Sequence, residues 1–193
     1  RIGVATYSVG VAYNNRKTSL QFIQQEMNNI TALSNETCQL GIQSRNMVFY
    51  IAKKDSPQPI RLMSSVGKQL PLYCTGLGRA LLAYKSEEEI RSLFPEVLTA
   101  YTPHTIATIN DLLKELELTR QRGYAVEHEE TNLMVNCIAV SLDYNNAPIA
   151  ALSISIPTFR ISESKEKEAV QILWEAKQRI ETHFKMYGVD FGN

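Results

Sequence analysis

What this chain has little of removes whole classes of function. No apolar run approaches the ~20 residues a membrane-spanning helix needs, and no basic segment followed by an apolar stretch heads the chain as a secretory signal would. Neither charge sign is in excess: 20 Lys and Arg stand against 20 Asp and Glu. A zero balance argues against this piece holding DNA by its phosphates, which takes clustered and uncompensated Lys and Arg. Cysteine is scarce, and Cys38, Cys74 and Cys137 are odd in number and share no metal-ligand spacing. Free thiols in a reducing cytoplasm are therefore expected, with no metal and no cofactor. Low-complexity tracts and internal repeats are also missing. A dinucleotide fingerprint would need glycine where Leu81 stands, and no acidic ribose partner follows it at the right distance.

What is present is the composition of a single globular domain: 193 residues, 44% apolar and 21% charged, enough to bury a core. The chain begins at Arg1 rather than Met, so an N-terminal part is expected to precede it. Residues 1–17 start β-prone and end in Asn14-Asn15-Arg16-Lys17, which reads as a linker from another module. Thr18-Ser19-Leu20-Gln21 has capping-box form, and Leu20, Ile23, Met27 and Ile30 follow at helical spacing, so a first helix is predicted to about Ser34. From Glu36 the period becomes two, and residues 37–43 and 47–53 read as a hairpin around Ser44-Arg45-Asn46. Pro57 and Pro59 break it, and residues 60–64 read as a third strand. Further on, Ser86-x-x-Glu89 is a capping box, a helix runs from near Asn110 to Gly123, and residues 124–127 form a short strand. Residues 136–143 and 149–156 alternate around Asn145-Asn146-Ala147-Pro148 as a second hairpin. A last helix from near Ser162 aligns Val170, Leu173, Ile180, Phe184 and Tyr187 before Gly188. Helix, strands, helices, strands, helix gives an α+β fold with a largely antiparallel sheet flanked by helices.

The chain is organised around Leu70-Pro71-Leu72-Tyr73-Cys74-Thr75-Gly76-Leu77-Gly78-Arg79-Ala80-Leu81-Leu82-Ala83. A short apolar approach meets two glycines and runs into a helical stretch. With Thr75 as N-cap, the amides of Gly76, Leu77 and Gly78 can converge on a small anion, and a side chain at Gly76 is expected to obstruct that approach. The same pattern also fits a tight strand-to-helix turn that binds nothing.

Two further groups could carry chemistry. Glu127-His128-Glu129-Glu130 lies close in sequence to Cys137, and a Cys137–His128 nucleophile pair would make a small-molecule hydrolase or isomerase. No orienting partner is evident, and a charge run of this kind is more often a solvated turn. Ser153 and Ser155 share one face of a strand whose other face carries Leu152, Ile154 and Ile156. That serine face is either wet or lines a polar cavity, with Cys137 as a less polar wall.

Taken in order, the 70–83 block, Tyr101-Thr102-x-x-Thr105, Arg122-Gly123-Tyr124-Ala125, Glu129-Glu130, Cys137-Ile138-Ala139-Val140 and Ala150-Ala151-Leu152-Ser153-Ile154-Ser155 resemble the effector-binding domain of the IclR family of bacterial transcription regulators. The resemblance implies a GAF-like α+β domain over residues 18–193, a linker over residues 1–17, and a winged helix-turn-helix upstream through which alone DNA is bound. It implies a homodimer or homotetramer, no catalysis, and a small carboxylate effector such as a keto acid, sugar acid or aromatic acid. Carried over by position, the pocket falls on Leu62, Leu70, Gly76, Leu77, Glu127, Val135, Cys137, Ser153 and Ser155. Tyr73 stands where the family commonly has histidine, Glu127 where it has aspartate, and Met134 and Asn136 where it has glycine and arginine. The closing Ser155-Ile156-Pro157-Thr158-Phe159-Arg160 resembles members that answer to sugar acids. The stripe on the first helix is expected to need covering by a second copy. Glu127 is expected to favour polyhydroxy acids over dicarboxylates and plain aromatic acids, the alternative being a flat apolar slot of Tyr73, Met134 and Leu62.

Overall fold

The computed structural model describes residues 18–59, 65–189 and 191. The linker, the strand expected at 60–64 and Leu62 lie outside the described residues. Helix α1 (Thr18–Ser34) leads into the hairpin β1 (Thr37–Ser44) and β2 (Met47–Lys54), and β3 (Gln69–Pro71) runs into a 3-10 turn (Leu72–Cys74). Three helices follow, α2 (Gly76–Leu82), α3 (Glu87–Leu93) and α4 (Ile109–Arg122), then β4 (Ala125–His128), β5 (Val135–Tyr144), β6 (Ala147–Pro157), a second 3-10 turn (Thr158–Arg160) and α5 (Glu163–Tyr187). The six strands form one sheet in the order β3-β2-β1-β6-β5-β4, every pair antiparallel. The predicted α+β class is the class observed.

Local chemistry explains the boundaries. Ser86 and Glu89 exchange both capping-box bonds at the start of α3, Thr108 and Ser162 cap α4 and α5, and Gly123 closes α4 with φ 79°. The second hairpin is tighter than expected. Asn145 and Asn146 both take positive φ, 52° and 62°, as a two-residue turn between right-twisted strands requires, so the strands extend to Tyr144 and Ala147. Pro148 is thereby drawn into β6, where it sits opposite Asp143 at a register irregularity that tolerates a missing donor.

Alternation on the sheet separates two cores. Ile138, Val140 and Leu142 of β5 and Ala150, Leu152, Ile154 and Ile156 of β6 face α1 and α5. Leu20, Ile23, Met27 and Ile30 are fully engaged in this core, so the stripe on α1 is covered within one chain and gives no reason for self-association. On α5, Leu173, Ile180 and Phe184 are buried and Val170 is partly so, but Tyr187 is 73% exposed, because the 25-residue helix overruns the sheet it packs on. The other face carries the 3-10 turn and α2 to α4, with Leu72, Leu77, Leu81 and Ile109 at its centre. The 101–105 stretch is turned on itself: Thr105 Oγ1 accepts from the amides of Tyr101 and Thr102 at 3.0 and 2.9 Å.

Candidate functional site

Helix α2 begins at the inner edge of the second core. Thr75, extended at φ −123° and ψ 144°, accepts from the Gly78 amide through Oγ1 at 3.1 Å. The cap therefore consumes one of the three amides expected to face an anion, and the first-turn amides of Gly76 and Leu77 remain. The two glycines have other tasks. A Cβ on Gly78 would lie 2.2 Å from the Leu72 carbonyl oxygen, so glycine is needed there for the crossing of α2 over the 3-10 turn. A Cβ on Gly76 would point at Cβ of Cys137 and Ala139, at 3.3 and 3.5 Å. A side chain at 76 would thus press on β5 before it could shield the amides, contrary to the expectation from sequence.

Around this turn the sheet and loops line a small cavity of about 30 Å³. Its walls include Leu70, Thr75, Gly76, Leu77, Glu127, Val135, Cys137 and Ser153, together with Gln39, Tyr50 and Lys68. Seven of the nine expected pocket residues thus surround one space. Leu62 lies outside the described residues. Ser155 is not in the lining: it is buried behind it, within 3.2 Å of Cys137 Sγ and donating to Gln39 Oε1 at 3.0 Å, so it holds two wall residues in place. Ser153 does face the cavity, and its Oγ is buried with no hydrogen-bond partner among the described residues. A buried hydroxyl without a partner forgoes about 1–3 kcal/mol of solvation, which an incoming polar group restores.

Glu127 is 1% exposed and its charge is held by the backbone. Oε1 accepts from the amides of Glu130 and Thr131 at 2.5 and 3.2 Å, so this carboxylate first organises its own turn and offers less to a ligand than its sequence position implies. Burial pushes its pKa up, against the pull of the Cys137 thiol and the two amides. Beneath it, Arg79 of α2 is buried, donates from Nε to Tyr73 O and from Nη1 to Val126 O, and pairs through Nη2 with Glu130. Glu130 Oε2 also accepts from the Ile106 amide, and its carbonyl accepts from Thr105 Oγ1. One guanidinium thus ties α2, β4, the 129–134 loop and the 101–106 turn together around the cavity. Arg79 and Glu130 were in the recognisable motifs, but nothing in their spacing shows that they meet.

Gln39, Tyr50, Lys68, Thr131 and Asn132 also line the cavity and were not among the expected pocket residues. Lys68 is exposed at the cavity mouth and makes no salt bridge among the described residues; a lone lysine in a loop carries no signal of that position. Tyr50 falls within the strand expected over 47–53, whose reading assigned it no face. Of the flat slot expected from Tyr73, Met134 and Leu62, the two described residues are placed otherwise: Tyr73 donates to Thr99 O at 2.7 Å and meets Phe94 edge-on, while Met134 is 56% exposed. Met134 takes φ 68°, a left-handed conformation that explains why glycine suits this position, and its amide is held by Glu129 Oε1 at 2.5 Å. Arg160 is engaged by Glu36 through two bonds of 2.7 Å and Asn136 by His128 and Thr158, so neither turns to the cavity.

The arrangement does not support nucleophilic catalysis. Glu127 lies opposite Cys137 in the β4–β5 ladder and His128 opposite Asn136, so the histidine points to the other face of the sheet and the expected Cys137–His128 pair does not form. Burial raises the Cys137 thiol well above its ordinary value and Glu127 raises it further, the reverse of an activated nucleophile. Among the described residues no three His, Cys, Asp or Glu side chains are grouped to hold a metal ion, and no helix is long and apolar enough to cross a membrane.

The family model described as "Bacterial transcriptional regulator IclR C-terminal" matches residues 12–182. The HTH-type transcriptional regulator KdgR of Dickeya chrysanthemi is 38% identical over 157 residues, 80% of this chain and 52% of the relative. The HTH-type transcriptional repressor AllR of Escherichia coli is 32% identical over 183 residues, 94% of this chain and 68% of the relative. The chain therefore spans about half the length of the first of these and about two thirds of the second. Among solved structures, the IclR protein of Thermotoga maritima superposes with a TM-score of 0.85 at 29% identity, covering 94% of this chain and 74% of that one. An IclR homolog of Microbacterium hydrocarbonoxydans, solved in complex with 4-hydroxybenzoate, shares the fold with a TM-score of 0.77 at 23% identity, over 88% and 70% of the two chains. The chain belongs to the IclR family, whose C-terminal regulatory domain it comprises.

Proposed function

We propose that this domain senses a small carboxylate metabolite for a DNA-binding transcription regulator of the cytoplasm, and that binding alters how a winged helix-turn-helix preceding residue 18 holds its operator. The observation that carries the reading is the unpartnered Ser153 Oγ, buried in the wall of a cavity that also holds the first-turn amides of α2 and has Lys68 at its mouth. Amides at a helix start and a lysine favour an anion, while the serine hydroxyl and Gln39 favour hydroxyl or keto groups beside it. A hydroxylated or keto monocarboxylate, such as a sugar acid, meets all of these together. Glu127 weighs against a second carboxylate. The likeness to KdgR and AllR, named a regulator and a repressor, supports a regulatory role without catalysis, and repression is the sense we assign.

The 4-hydroxybenzoate complex of a distant homolog supports a second choice, an aromatic acid, for which Tyr50 would supply the ring contact. A thermal-shift series with gluconate, pyruvate, 4-hydroxybenzoate and succinate decides between them. A ligand at a hundred times its Kd adds about 2.7 kcal/mol, worth several degrees in a domain of this size. Gluconate or pyruvate is expected to raise the melting temperature most and succinate least. No shift with any acid would overturn the sensing role, and a shift with 4-hydroxybenzoate alone would install the aromatic reading.

A further inference from the structure

We infer that this cavity takes up its organic anion together with one proton, which comes to rest on Glu127, so that the domain responds to the acid as an ion plus a proton and not to the carboxylate ion alone. The inference rests on the sensing role proposed above and concerns the same site.

Glu127 lines the cavity at 1% exposure, on the wall that also presents Ser153 and Cys137. A carboxylate seated on the first-turn amides of α2 in so small a space comes to close range of the Glu127 carboxyl group. Two carboxylates sharing a site at that range do not both stay ionised; one keeps a proton and donates it to the other. Among the described residues the surroundings offer no other relief. Across the β4–β5 ladder stands Cys137, whose thiol is held neutral by burial. From the turn that follows β4 comes Glu130, a second carboxylate, matched by Arg79, which is spent on it and on the carbonyls of Tyr73 and Val126. From β2 comes Tyr50 and from the 3-10 turn Cys74, both kept un-ionised by burial, with Glu127 contributing to the shift of each. Lys68, out at the mouth, is the one cation among the described residues that line the cavity. It can balance one negative charge, the ligand's or that of Glu127.

The carboxyl group is arranged to carry the proton. Both main-chain bonds fall on Oε1, leaving Oε2 as the oxygen on which a proton can sit without losing them. The balance is one ligand carboxylate, ionised Glu127 and one proton from solvent, giving a complex in which Glu127 Oε2–H donates to the ligand carboxylate. Burial already raises the Glu127 pKa in the free domain, and the bound anion raises it further, so proton uptake is largest between the free and the bound values.

Calorimetric titration of the chain with gluconate, pyruvate and 4-hydroxybenzoate, in buffers of different ionisation enthalpy at fixed pH, counts the protons directly. The expected result is uptake of up to one proton per ligand bound and affinity that falls by as much as tenfold per pH unit in that window. Glu127→Gln keeps an oxygen for the two amides and a donor for the ligand, and is expected to bind with heat independent of the buffer and with affinity flat in pH. Binding without proton uptake, or the same pH dependence in wild type and Glu127→Gln, would overturn the inference while leaving acid sensing intact. If none of the three acids binds at any pH, the sensing role falls and this inference with it. The wild-type proton count needs no variant, so a misfolded Glu127→Gln would not blunt the test.

Discussion

The two faces of the central sheet are made of alternate residues of the same strands, yet they are different materials. Toward α1 and α5, β5 and β6 present an unbroken series from Ile138 to Leu142 and from Ala150 to Ile156 in steps of two, all apolar and sealed. Toward α2, the intervening positions bring Cys137, Ser141, Ser153 and Ser155 inward, joined by Gln39, Thr75 and Glu127 and braced by Arg79 and Glu130. The first face gains stability from area removed from water. The second gives up part of that gain to hold polar groups in a defined geometry, and every one of them except Ser153 Oγ has a partner among those described here.

The sharpest way to break the polar face is at its brace. Arg79→Ala leaves Glu130 buried without its counter-ion and two carbonyls without donors, and is expected to cost about 3–5 kcal/mol in urea unfolding and to abolish acid binding. A small loss would mean that the 129–134 loop is held by its main-chain bonds alone. On the apolar face, Leu152→Ala should cost about 2–5 kcal/mol, the usual range for opening a cavity at a fully buried leucine. Tyr187→Ser, at a position where helical spacing points to the core, should stay within about 0.5 kcal/mol, since the ring is 73% exposed.

The finest contrast is in pH. The folded-state pKa of Glu127 is raised, so between its ordinary value and the raised one the native domain binds more protons than the unfolded chain, and stability falls as pH rises through that window. Glu127→Gln is therefore expected to melt above wild type at neutral pH, with the gap closing as pH drops to about 4.5. A gap that stays constant with pH would show that Glu127 carries no buried-charge penalty.

Sequence reading reached the apolar face almost completely, because a period of two in β1, β5 and β6 and of 3.6 in α1 and α5 is itself the record of which side is buried. It failed at Tyr187, where the period continues past the end of the sheet, and at Asn145-Asn146, where two residues in the left-handed region shorten the turn. The polar face was legible only in part. Ser153 and Cys137 follow from alternation, and the N-cap at Thr75 from the residues around it. Lys68 depends on where a loop returns, the Arg79–Glu130 pair spans 51 residues, and Ser155 and His128 differ from their neighbours by a distance or a face that spacing does not fix. The direction of Cβ at Gly76 is likewise a property of how α2 crosses β5.

Leu152 and Ser153 are adjacent in the chain and point to opposite faces, so they allow the central claim to be tested within one peptide unit. Calorimetric titration of Leu152→Ala and Ser153→Ala with the acid that most stabilises the wild type, each below its own melting temperature, is the measurement. The account predicts that Ser153→Ala melts within a degree or two of wild type but binds the acid about three- to tenfold more weakly, one hydrogen bond between neutral groups being worth about 0.5–1.5 kcal/mol. Leu152→Ala is predicted to lose stability and keep its affinity. Equal affinities in wild type and Ser153→Ala would mean that the acid does not use this cavity, and would contradict the account.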